Sequence, residues 1–259
     1  MTETAEPDAH FIPVGTPPRA IAVRTTPGAA DRPGVVWCGG FLSDMRGTKA
    51  EELAKWGAAH DRRVVRFDYS GHGESDGDFI DGTISRWAED ALAVFDRETT
   101  GPQIIVGSSM GGWIALLLAR ALAARGDGAR LAGLVLIAPA PDFTEELVWK
   151  AMTPEIRAEV MAKGVWYRAS DYGAPQPFTR ALIEDGRANL VLGAPFTVGC
   201  PVRILQGVAD DTVPWQHAMK LVSCLAEDDV VVTLVKDGDH RLSRPEDIAR
   251  ILDAVEQIG

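Results

Sequence analysis

The chain is poor in cysteine and histidine, carries no cluster of positive charge and has no long apolar run, and each shortage narrows its chemistry. The three cysteines, Cys38, Cys200 and Cys224, are widely separated and form no CxxC pair. That spacing excludes a disulfide framework and a thiolate metal site, so no metal is expected. They read as reduced thiols packed as small hydrophobes in a cytoplasmic protein. No run of Lys or Arg occurs, and 26 basic against 37 acidic residues leave a net charge of −11. A partner bound through its phosphates, nucleic acid above all, is thereby disfavoured. The longest apolar stretches, Trp113–Ala119 and Leu134–Ala138, are too short to span a bilayer. The first ten residues lack a basic n-region and an apolar h-region, so no secretory leader is expected. Internal repeats and low-complexity tracts are missing too.

What is there is 259 residues, 46% hydrophobic and 24% charged, enough to bury a large core as one α/β domain. Strand and helix patterns alternate. Arg19–Thr25 and Val35–Cys38 predict strands, rich in Val and Ile and bounded by Pro and Gly. Thr48–Glu51 reads as a capping box opening a helix that runs to about His60. Arg62–Phe67 predicts a strand, followed by a glycine-rich loop from Asp68 to Gly77. Thr83–Glu98 predicts a helix with Trp87, Ala91, Leu92 and Phe95 on one face. After the strand Gln103–Val106 and a tight turn Gly107–Gly112, the helix Trp113–Arg125 is apolar on nearly every side, which places it inside a layered fold. Leu131–Ala138, Val202–Gln206 and Val230–Lys236 are continuous apolar runs, as a parallel sheet covered on both faces requires. A second capping box, Ser243–Glu246, opens a last helix ending near Ile258. The pattern predicts an α/β fold: a mostly parallel central sheet with helices on both faces.

One segment breaks the rhythm. Residues 142–198 show two or three short helical patterns and no clear strand, and they concentrate aromatics: Phe143, Trp149, Trp166, Tyr167, Tyr172, Phe178 and Phe196. They are expected to form a small helical lid with its own core, leaving residues 1–141 and 199–259 as the catalytic core.

The sharpest chemical signal is Gly107-Ser-Ser-Met-Gly111, a G-x-S-x-G pattern lying between a strand and a helix. There a strained turn holds the central serine, Ser109, out at the top of the sheet, with glycine at both ends because a side chain would collide across the turn. The pattern lacks the Lys-Ser/Thr of a P-loop and the spacing of a dinucleotide fingerprint. A serine hydroxyl needs an adjacent base, and the base an orienting acid, in the chain order Ser, Asp/Glu, His. Of the five histidines only His217 and His240 lie downstream. His240 directly follows the last strand, where a loop can return it to the top of the sheet, whereas His217 is expected on a helix surface. The acid is expected from Gly207–Pro214, where Asp210 and Asp211 both qualify. Donors for an oxyanion are expected from the backbone N–H of Met110 and, in the Gly39-Gly-Phe-Leu42 loop, of Phe41.

With these residues in view, the chain resembles the α/β-hydrolase superfamily over almost its entire length. Asp68-x-x-Gly71-x-Gly73-x-Ser75 matches a loop many members show. The G-x-x-D-x-x-V-P pattern maps the family aspartate onto Asp210. Gly40–Ala50, Arg66–Gly71, Asp210–Trp215 and Gly238–Ser243 are similar to the α/β-hydrolase domain-containing protein 10 group and its bacterial relatives, which implies a serine hydrolase acting on S-acylated proteins and acyl-glucuronides. The resemblance implies Ser109, Asp210 and His240 as a triad, with Phe41 and Met110 as oxyanion donors. The His-Gly usual before the oxyanion residue is Gly39-Gly40 here. The N-terminus lacks the Arg-rich composition of a mitochondrial transit peptide, so that location does not carry over.

The chain is therefore expected to be an esterase or thioesterase working through an acyl-enzyme on an acylated substrate, with no cofactor. Leu42, Trp113, Trp149 and Trp166 are the expected substrate-lining residues. Its acidity disfavours anionic donors such as acyl-CoA unless Arg46 and Lys49, which also read as solvated charges before a helix, form a local patch. An amide hydrolase of peptidase or acylaminopeptidase type, carbon–carbon cleavage or perhydrolysis, and a silent binding scaffold share the same motifs.

Overall fold

The structure, a computed structural model, describes residues 8–169 and 175–259. Its strands are β1 (His10–Val14), β2 (Arg19–Thr26), β3 (Gly34–Cys38), β4 (Val64–Phe67), β5 (Gln103–Ser108), β6 (Leu131–Ile137), β7 (Val165–Arg168), β8 (Gln176–Thr179), β9 (Val202–Gly207) and β10 (Val230–Val235). Its helices are α1 (Thr48–Ala59), α2 (Ile84–Glu98), α3 (Met110–Ala124), α4 (Pro154–Lys163), α5 (Arg180–Ala188), α6 (Trp215–Cys224) and α7 (Pro245–Glu256). Eight strands form one sheet in the order β1-β2-β4-β3-β5-β6-β9-β10. Pairing is antiparallel for β1–β2 and β2–β4 and parallel from β4 to β10. This is the mostly parallel α/β architecture the sequence predicts.

Side chains alternate across the central strands because successive residues of a strand point to opposite faces. Val36, Cys38 and Ile105 enter one core with Trp87, Phe95 and Trp113 from α2 and α3. Val35, Trp37, Ile104 and Val106 enter the other with Leu53 and Trp56 from α1 and Ile248 and Val255 from α7. Full burial of each large apolar side chain, such as Trp87 and Trp113, is worth about 2–3 kcal/mol, and the two layers hold β3, β5 and β6 rigidly at the centre.

Four local expectations differ from the structure. Thr48 is already helical and Gly47 is the N-cap, without a side-chain cap, so the 48–51 box is not made. At the last helix the brace is displaced by one residue: Pro245 opens α7, whose start proline favours, and the Asp247 carboxylate accepts from the backbone N–H of Arg244 at 3.4 Å. Strand β1 has no clear signal in the sequence because Pro13 interrupts its short alternation; as an edge strand it tolerates the missing donor. The 142–198 segment is also not wholly helical. Besides a π-helical turn (Thr144–Trp149), α4 and α5, it contains the antiparallel pair β7–β8. Gly164 ends α4 at φ +82°, which turns Val165–Arg168 out of the helix. Four-residue strands, one of them containing Pro177, leave no periodicity to read. Tyr172 and the first seven residues lie outside the described residues.

The segment is fixed at its neck. The buried Asp142 carboxylate accepts from the backbone N–H groups of Val191 and Leu192 at 2.8–3.1 Å. The Trp113 indole donates to the Asn189 carbonyl at 3.1 Å, and Asp185 accepts from the Ser85 N–H at 2.7 Å. His217 is a further correction. It is buried, not on the surface, and its Nε2 lies 2.7 Å from the Pro141 carbonyl, tying α6 to the same neck. Its partner lies 76 residues away, so no local pattern points to the contact.

Candidate active site

Ser109 sits between β5 and α3 with φ +54° and ψ −118°, a conformation a non-glycine residue holds only when its surroundings over-determine it. They do so here. A Cβ on Gly107 would lie 2.4 Å from the Gly111 carbonyl oxygen, and one on Gly111 would lie 2.0 Å from that of Cys38. The Ser109 N–H donates to the Ile137 carbonyl at 2.9 Å, and its own carbonyl accepts from Gly112 at 2.9 Å and Ala140 at 3.1 Å. The serine is thus carried on a turn braced by β3, β6 and the start of α3.

His240 and Asp210 arrive from the ends of β10 and β9. These strands run parallel in register, and their loops pack tightly: a Cβ on Gly207 would meet the Gly238 carbonyl at 2.3 Å. Ala209 donates to that same carbonyl at 3.0 Å. The result is a hydrogen-bonded chain, with His240 Nε2 3.0 Å from Ser109 Oγ and His240 Nδ1 2.8 Å from Asp210 Oδ2. The Asp210 side chain is fully buried. Its Oδ1 accepts from the N–H groups of Thr212 and Val213 at 2.9 and 2.8 Å, and Oδ2 also accepts from Gln206 Nε2 at 3.1 Å. Such a carboxylate is held as an acceptor and can orient and charge-stabilise an imidazole. Asp211 is exposed and contacts Thr212 Oγ1 instead. Gln206 was not singled out in the sequence; a polar residue closing a buried apolar strand was its one signal.

The loop after β3 lies against the serine. A Cβ on Gly40 would stand 3.4 Å from both Ser109 Cβ and the Ser108 carbonyl oxygen. Met110 is the first residue of α3, where backbone N–H groups have no partner inside the helix. The far end of the loop is anchored by buried Asp68, whose carboxylate accepts from the N–H groups of Met45 at 2.7 Å and Glu74 at 2.9 Å. Arg66 Nη1 donates to the Met45 carbonyl at 2.9 Å. Gly73 stands at φ +47° with Asp68 Oδ2 where a Cβ would be, which is why the loop needs glycine there.

The Phe41 ring gathers residues from the 142–198 segment. It stacks on Phe178 at 5.4 Å, meets Phe143 edge-on at 5.6 Å and touches Phe79 at 4.9 Å. Of the other expected lining residues, Leu42 is exposed and Trp166 stacks on Phe178 at 6.2 Å. Trp149 lies under the guanidinium groups of Arg187 and Arg157, and Trp113 is fully enclosed, edge-on to Phe143 at 5.8 Å. Among the described residues no cluster of His, Cys, Asp or Glu of metal-site size occurs, and no helix is long and apolar enough to cross a membrane.

Beside the anchored loop, His72 is buried among Tyr69, Phe79 and Trp87, with Nδ1 3.3 Å from the Ser70 carbonyl. Burial pushes its pKa down to about 4. The unfolded chain takes up this proton from about pH 6.5 downward, whereas the folded chain does so only near 4, so stability falls as pH drops through that window. Denaturant unfolding at pH 7 and 4.5 should show wild type losing about 2 kcal/mol more than His72→Gln; equal losses would contradict the assignment.

A model of the alpha/beta hydrolase family matches residues 26–251. Human palmitoyl-protein thioesterase ABHD10, mitochondrial, is 35% identical over 228 residues, covering 87% of this chain and 72% of that protein. Among solved structures, a protein of Agrobacterium vitis S4 designated only as a hydrolase superposes with a TM-score of 0.93 at 52% identity, covering 97% of this chain and 98% of its own. Mouse alpha/beta hydrolase domain-containing protein 10 superposes with a TM-score of 0.85 at 32% identity, with the same coverage.

Proposed function

The chain belongs to the alpha/beta hydrolase family, and on that footing we propose that it is a serine hydrolase of carboxylic esters and thioesters. The observation that carries the reading is the unbroken chain from Ser109 Oγ through His240 to the buried Asp210, at 3.0 and 2.8 Å. Ser109 attacks the acyl carbonyl as His240 Nε2 takes its proton, and Asp210 stabilises the imidazolium without itself being protonated. The N–H groups of Phe41 and Met110 receive the oxyanion. His240 then protonates the leaving alkoxide or thiolate, the acyl-enzyme remains, and a water deprotonated by the same imidazole releases the acid. All groups come from the protein, so the reading calls for no cofactor.

In this reading residues 142–198 are a lid over the site. The contacts of Phe143 and Phe178 with Phe41 support that role. The lid's aromatic face, with Leu42, Trp149 and Trp166 as proposed lining, receives an acyl chain; Trp113, expected among them, is fully enclosed and supports that face from behind Phe143. The curated relatives are named palmitoyl-protein thioesterases, which favours a thioester of a long acyl chain. Their names also carry the word mitochondrial; for this chain we keep a cytoplasmic location as the proposal.

A panel of p-nitrophenyl esters, acyl thioesters and aminoacyl amides tests the reading. Esters and thioesters should be cleaved, with kcat/KM rising at least tenfold from two to twelve carbons, since each buried CH2 is worth about 0.8 kcal/mol. Preference for the amides would favour a peptidase, and turnover of none would favour a silent scaffold. Indifference to chain length would remove the acyl pocket.

A further inference from the structure

The stretch Gly47-Thr-Lys-Ala50 is part of the subgroup motif, yet no step above uses it. Lys49 lies in the first turn of α1, the helix that follows the Gly39–Leu42 loop. Its side chain does not face outward as a free cation. Nζ donates to the carbonyl of Arg241, the residue after His240, and lies 3.5 Å from Ser243 Oγ. Ser243 Oγ donates to that same carbonyl at 3.0 Å.

The loop carrying His240 is otherwise held on its own side. Asp239 Oδ1 accepts from the N–H groups of Arg241 and Leu242 at 3.1 and 3.0 Å, and Gly238 receives Ala209. Leu242 is turned to φ +44° and buried in the core below. The Lys49 ammonium is a bond from this loop to the element that also carries the oxyanion loop. That loop's other anchor is Met45 on Asp68 and Arg66.

We propose that Lys49 is a positioning residue: it fixes the loop of His240 against α1 and so sets the distance between the base and the oxyanion donors. The proposal rests on the serine-hydrolase reading. The charged groups facing the ammonium are Asp239 and Arg241 on the His240 loop and Asp247 on α7. Burial pushes the Lys49 pKa down to about 8. Above that pH the ammonium becomes an amine, and a charge-assisted bond becomes an ordinary one of about half the strength.

The test is steady-state kinetics on a neutral p-nitrophenyl ester and on an acyl-CoA, from pH 6 to 10, for wild type, K49R, K49M and S109A. Misplacement of a catalytic group by about 1 Å can cost roughly a hundredfold. K49M should therefore lower kcat on the neutral ester by roughly 10- to 100-fold with KM within about twofold. Wild-type kcat should decline above about pH 8, while K49R, charged throughout, should keep its activity. If K49M does not fold, the comparison of wild type with K49R decides, and identical alkaline declines overturn the proposal. A change confined to KM for acyl-CoA would make Lys49 a substrate-binding cation and would likewise overturn it. If S109A hydrolyses the ester like wild type, the nucleophile reading itself falls. If S109A is inactive while K49M and K49R match wild type, only the role of Lys49 falls.

Discussion

His240→Ala should lower kcat on an activated ester by about a millionfold and leave KM near its wild-type value, and adding Ser109→Ala should cost almost nothing more. That corresponds to about 8 kcal/mol of transition-state stabilisation. The reason is that, among the described residues, Ser109 Oγ has one base within hydrogen-bond reach, His240 Nε2 at 3.0 Å. The other downstream histidine, His217, is buried with its Nε2 on the Pro141 carbonyl and cannot take over. Serine and base act as a unit, so the two losses should overlap instead of adding. Single-turnover and steady-state rates for the two single variants and the double variant check this. A loss below about a hundredfold for His240→Ala, or additive losses, would place the proton transfer elsewhere.

Asp210→Asn should lower kcat by about ten-thousandfold, whereas Asp211→Asn should stay within about threefold of wild type. The two residues are chemically alike and adjacent, and only their surroundings differ. Asp210 is fully buried, receives Thr212, Val213 and Gln206, and faces His240 Nδ1 at 2.8 Å. An asparagine there keeps the shape but can present an N–H to Nδ1, which favours the tautomer with its proton on Nε2, the atom that must accept from Ser109. Asp211 is exposed, and its contact is with a neighbouring threonine. Comparable losses in both variants would mean that the acid is shared by the loop and not supplied by Asp210.

The contrast between these carboxylates marks where sequence stops being sufficient. The turn at Ser109 was legible because its constraints are local: Gly107 and Gly111 are demanded by backbone atoms that any strand–turn–helix junction of this kind brings together. The buried strands β3, β5 and β6 were legible for the same reason, each built on an apolar run, and β9 carries such a run apart from Arg203 and Gln206. The order Ser, Asp, His narrowed the base to two histidines. The choice of Asp210 over Asp211 came from family resemblance, and its physical cause, burial against His240, is a contact across 30 residues. Contacts of still longer range were hidden altogether. Lys49 reaching Arg241 spans 192 residues, and His217 reaching Pro141 spans 76. From local pattern both read as surface groups. The antiparallel pair β7–β8 stayed hidden because its strands are four residues long and one contains Pro177, too short for alternation to show.

The proposed nucleophile is Ser109 Oγ, the atom expected to become acylated. Wild type, Ser109→Ala and His240→Ala can each be treated with a fluorophosphonate and followed by intact mass and peptide mapping. One adduct per wild-type chain is expected, located on Ser109, with none on Ser109→Ala, and labelling of His240→Ala should be slowed by at least about a hundredfold, the lower end of the range for general-base assistance. An adduct on another residue, or labelling that survives Ser109→Ala, would contradict that assignment.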